Sequence, residues 1–179
     1  MDQLAVISQI ALLLYHQVTT LFDLFPFNGI RFYSRRERFI EAAANFVPMA
    51  LAATGFIWHL SGLMKFGVIY YFILFAVECA TWWAPYFLGP SQKWQEAYNR
   101  IHRQTITVIP RRGDNPAPNL EHMILMALTL LTAIATFKAF RAAAVPFQHV
   151  WIGFAIGAFM FGGTLFQFCF QDRRKANVP

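Results

Sequence analysis

The chain has 179 residues, of which 57% are hydrophobic, 17% aromatic and only 13% charged. Soluble domains average about 25% charged residues, so the composition argues against an ordinary soluble enzyme and against disorder, which needs low hydrophobicity and high charge. Two cysteines exclude a disulfide scaffold or a cysteine-rich zinc domain, and the net charge of +6 takes its meaning from where the basic residues lie.

A bilayer core about 30 Å thick needs roughly 20 apolar residues in a helix. Five stretches meet that length, about residues 4–25, 39–64, 66–89, 120–140 and 147–170. The expected fold is therefore all-α: one polytopic transmembrane helix bundle of five spans, with no barrel-like alternation anywhere. The first stretch is the most polar, carrying Gln9, His16, Gln17, Thr19 and Thr20. It reads as a span or as an amphipathic helix in the interface, and not as a signal peptide, because Asp2 stands where a basic region should be. Gln9 and His16 recur seven residues apart on it, between Asp2 and Asp23.

The second stretch carries Glu41, Asn45, Pro48, Ala52, Gly55 and His59 at alternating four-and-three spacing. That polar, small-residue stripe predicts close approach by a neighbouring helix or a ligand, and Pro48 should free a carbonyl. Met64-Lys65-Phe66 reads as the turn into the third stretch, making a tight antiparallel hairpin. On the third stretch Tyr71, Phe75, Glu78, Trp82 and Pro85 form one aromatic stripe with a single acid near mid-membrane. A carboxyl there costs a few kcal/mol on insertion scales, so it should face the bundle interior and carry its proton or a partner. His16 lies at nearly the same depth, either as that partner or as a structural hydrogen-bonding group.

Residues 90–119 form the long loop. Its first half predicts a short amphipathic helix on the membrane surface, capped by Ser91, with Trp94, Ala97, Tyr98 and Ile101 on one side. Its second half, dense in proline, glycine and asparagine, should be irregular. Asn119 caps the fourth span, where His122, Thr129, Thr132 and Thr136 share a face that reads as packing. Glu41 with His122 makes an acid–base pair, or an ordinary ion pair, at one mouth of the bundle. The fifth stretch carries Gly153 and Gly157, which suit packing inside the bundle or a homodimer face. His59 and His149, at matching depth near the other face, are the only weak metal or haem candidates, without a third ligand.

Twelve of the 15 lysines and arginines fall on one side of this five-span arrangement. The positive-inside rule then puts the C-terminus in the cytoplasm and the N-terminus outside, so the basic surplus reads as orientation and as attraction for anionic headgroups, not as a nucleic-acid footprint. The expected function is binding and moving or modifying a lipid-like or hydrophobic small molecule. Its aromatic pocket would use Glu78 and His16 as acid–base groups and Tyr71, Phe75, Trp82, Asn45 and Gln9 as lining. The alternatives are a non-catalytic accessory subunit of a membrane complex, with a haem- or pigment-holding variant, and a proton-coupled transporter. No motif requires a cofactor, and none decides between an enzyme and a non-enzyme.

Overall fold

The computed structural model describes residues 3–143. The fifth stretch, with His149, Gly153 and Gly157, lies outside the described residues. Within them the chain is helical: α1 (Gln3–Leu21), α2 (Arg35–Ile57), α3 (Ser61–Leu88), the short α4 (Gln92–Ile101) and α5 (Leu120–Ala142). Between α1 and α2 lies one 3-10 turn, Ile30–Phe32. α1, α2, α3 and α5 are each long and apolar enough to cross a membrane.

These four form a ring in which α1 packs along α2 and α5, and α3 packs along the same two. α1 and α3 are thus diagonal partners. Leu12, Met49, Tyr71, Leu74 and Ala133 meet on the central axis, and Ala5, Phe56, Met64, Val68 and Phe140 fill the end nearer the α2–α3 turn. The exterior is unlike that of a water-soluble bundle, and the apolar core also holds polar side chains. Gln9, Thr129, Thr132 and Thr136 have no exposed surface, while Leu4, Ile7, Leu14, Phe39, Ile40, Phe46 and Phe72 face outward.

The hairpin boundary differs from the sequence expectation. α2 ends at Ile57 and α3 begins at Ser61, so Lys65 lies inside α3 and not in a turn. His59 adopts φ 54°, and the Leu60 amide donates back to the Gly55 carbonyl at 2.9 Å. This is a Schellman stop with histidine in the position that usually holds glycine. Gly55 and Gly67 permit the tight crossing that follows: a Cβ on Gly55 would lie 2.6 Å from the Leu63 backbone carbon, and one on Gly67 3.0 Å from the Ala52 Cβ. The small-residue stripe of α2 is therefore a helix contact. α2 also starts earlier than expected, at Arg35, because Ser34 and Glu37 form a reciprocal capping box.

At the opposite end the loops are tied to one another. Asn28, 1% exposed, accepts from the Leu24 amide and donates to the Thr19 and Phe22 carbonyls, closing the C-terminus of α1. The Ile106 amide donates to the Pro26 carbonyl and the Leu120 amide to the Ile106 carbonyl. Gly29 packs directly on the end of α4, where a Cβ would overlap the Ile101 carbonyl oxygen. α4 has the expected Ser91 cap, but its apolar face is spent on the protein and not on a lipid surface: Tyr98 and Ile101 are 2% and 5% exposed.

Candidate functional site

Two polar layers lie inside the ring. The first is at mid-height. Glu78 on α3 accepts a hydrogen bond from Thr129 on α5 at 3.0 Å through one carboxyl oxygen, while its other oxygen is enclosed without a hydrogen-bond partner. The Tyr70 and Tyr71 hydroxyls and the Gln9 carbonyl oxygen are enclosed in the same way. His16 is not placed as Glu78's partner: its Nδ1 lies 3.4 Å from Thr20 Oγ1 on its own helix, and α1 and α3 sit across a diagonal. The sequence-based stripe does face inward, with Tyr71, Glu78 and Trp82 buried and Phe75 half-buried. Asn45 is half-buried and bonds the Glu41 carbonyl of its own helix. On α5, Thr136 bonds its own backbone, but Thr129 and Thr132 reach across to α3 and α1.

The second layer is the loop end. A cavity of about 20 Å³ is lined by Thr19, Thr20, Gly29, Ile30, Tyr33, Glu41, His102, Glu121 and His122. The chain thus brings Glu41 and His122 to one place, as their matching depth implied. His122 is bonded differently from the expected acid–base pair. Its Nδ1 sits 2.6 Å from Asn119 Oδ1 and 3.7 Å from the Glu121 carboxylate.

Asn119, fully buried, organises the site. Its Nδ2 donates to Thr105 Oγ1, which donates to the His102 carbonyl. With its amide nitrogen so engaged, its oxygen accepts from both the His122 amide and the His122 ring. Nδ1 of His122 therefore carries a proton. One asparagine fixes α5's first turn, one imidazole's orientation and the backbone beneath the other imidazole.

Aromatic rings wall the site from the α3 side. Trp82 lies 4.2 Å from the His122 ring and 5.0 Å from that of His102. The two imidazoles stand edge to face at 5.2 Å. Trp94 and Tyr98 of α4 pack on the same indole. Outside the spans, burial pushes His102 down to about 3, so it is a neutral ring at pH 7. Burial likewise raises the Tyr33 phenol, keeping its proton as a donor.

Sequence reasoning missed His102, Tyr33, Thr19 and Thr20 as lining residues. His102 had a signal: Trp94, Tyr98 and His102 recur every four residues, so the aromatic face of α4 runs on into it. Tyr33 and Gly29 lie in a loop whose path only the tertiary contacts define. His59 is exposed at the far turn, and among the described residues no group of three His, Cys, Asp or Glu is arranged to hold a metal ion.

No family model, curated protein or solved structure matches this chain.

Proposed function

We propose that this chain is an integral membrane protein that binds the polar head of a lipid-like molecule at the loop end of its helix ring and moves or modifies that molecule. The observation that carries this reading is the cavity lined by two carboxyls and two imidazoles, at one end of a ring whose outer surface is apolar and whose packed interior sets polar side chains among apolar ones. An amphiphile presents the matching arrangement, with a polar head for the cavity and a tail for the outer helix faces.

Membrane embedding accounts for the apolar exterior and the inward placing of polar groups, since lipid is a good solvent for Leu, Ile and Phe and a poor one for glutamate, glutamine and threonine. The loop end also bears Arg31, Arg35, Arg36, Arg38, Arg100, Arg103, Arg111 and Arg112, whereas Lys65, Lys138 and Arg141 lie at the other end. On the positive-inside rule the loop end faces the cytoplasm. In this reading Glu121 and His122 form the proton-handling pair, and Glu78 with Thr129 is an interhelical tie.

Native mass spectrometry of the full chain in detergent tests the proposal. Retained lipid is expected on the wild type and is expected to fall in Glu121→Gln and His122→Ala while persisting in Glu78→Gln. Equal retention in all four proteins would overturn the reading and leave the accessory-subunit alternative in its place.

A further inference from the structure

The cavity has a sharper chemical preference than a generic headgroup. Two carboxyls line it, from Glu41 on α2 and Glu121 on α5, and no lysine or arginine does. His102 lines it too; at 4% exposed, its Nδ1 is enclosed and has no hydrogen-bond partner. Thr19, Thr20 and Tyr33 add oxygen atoms. The lining is thus rich in acceptors and short of one cation, and two carboxyls, one buried and one half-buried, without a cation are an unbalanced arrangement.

Size narrows the cation. A cavity of about 20 Å³ has room for about one water molecule. A primary ammonium is the organic cation of that size, and its three N–H donors suit several acceptors at once. A trimethylammonium is several times larger and brings no donor.

A second group lies next to the cavity. The Arg38 guanidinium donates to the carbonyl of Tyr33 at 3.4 Å, and its Nε is enclosed without a partner. Arg38 is one turn before Glu41 on α2, so an unsatisfied donor for an anionic oxygen stands beside the acceptor-rich cavity.

Resting on the proposed headgroup reading, we infer that the ligand is an aminated amphiphile of zwitterionic head, its primary ammonium seated among Glu41, Glu121 and His102 and its anionic oxygen on Arg38. The two charges are read by different elements, the ammonium between α2 and α5 and the anion at the start of α2. Selection is then against both N-methylated heads, which cannot enter, and heads lacking the amine, which leave the carboxyls unbalanced.

The test uses the full chain in detergent, titrated with phosphatidylethanolamine, phosphatidylcholine and phosphatidylglycerol of identical acyl chains and followed by native mass spectrometry. The expected result is at least about tenfold preference for phosphatidylethanolamine over both others, lost in the Glu41→Gln/Glu121→Gln double variant. Phosphatidylethanolamine and phosphatidylcholine binding equally, with both weakened by Glu121→Gln, would overturn the ammonium inference and leave the headgroup reading standing. Lipid binding indifferent to every cavity substitution would overturn both. Thermal melts with free ethanolamine and free choline separate the sources. Stabilisation by ethanolamine alone, without any phosphatidylethanolamine preference, keeps the ammonium site and overturns its lipid origin. The comparison of N-methylated and unmethylated lipids is made on the wild type, so it holds even if the double variant does not fold.

Discussion

Glu78 and Glu121 are equally buried, each 9% exposed, yet their surroundings differ in kind. Glu78 stands in a helix–helix seam, reached by Thr129 from the neighbouring helix. Glu121 stands where helix ends, a 3-10 turn and α4 converge on a cavity. A seam between two packed helices closes on itself; an end closed by loops leaves room. Burial of an acid thus says little about ligand access, and the geometry of what covers it says much more.

The strongest blow to the loop end is Gly29→Ala. The new methyl would overlap the Ile101 carbonyl oxygen, and backbone cannot yield as a flexible side chain does. A loss of roughly 2–3 kcal/mol, read as a lowered melting temperature in detergent with ligand retention abolished, is expected. An unshifted melt would mean that α4 is not anchored there and that the two regions are less distinct than described.

Thr129→Val probes the seam. Removing the hydroxyl leaves Glu78 buried without its donor, at a cost of about 1–3 kcal/mol. Ligand retention is expected to survive. If retention vanished while the melt stayed put, the roles of the two layers would be reversed.

His102 gives the loop end a pH signature. Its folded-state value is depressed from 6.5 to about 3 by burial. The unfolded chain therefore binds the extra proton first, and stability falls as pH drops below about 6.5, continuing toward 3. In His102→Gln that part of the acid slope should flatten. An unchanged slope would place the acid sensitivity elsewhere, including the mid-height layer. The smallest effect is Ser34→Ala, about 1 kcal/mol through the lost capping box, with no change in retention.

Much of the fold could be read in the chain because lipid-length apolar runs need no tertiary information. The α2–α3 boundary was less legible, because apolar Phe56, Ile57, Trp58 and Leu60 flank it closely and the left-handed residue is His59 and not glycine. The Ser34–Glu37 box, by contrast, is written in the sequence as Ser-x-x-Glu. Within the site, Glu41 and His122 line one cavity because both sit within two turns of a helix start at the same end, although His122 bonds Asn119 and not Glu41. Depth failed for His16 and Glu78 because it says nothing about which helices are diagonal. His102 belongs to no span, so a search by depth could not find it.

The straps at the loop end have a mechanical consequence. Pro26, Ile106 and Leu120 are joined amide to carbonyl, and Asn28 fastens that same loop to the end of α1. The connections into α2 and α5 therefore behave as one plate, and tilting either helix would drag the cavity roof with it. Freedom is concentrated instead around the exposed Arg112-Gly113-Asp114 tip, where Gly113 takes a positive φ and a side chain would meet nothing within 4 Å. That tip is the place to graft a tag, an antibody epitope or a fluorescent reporter without disturbing the plate.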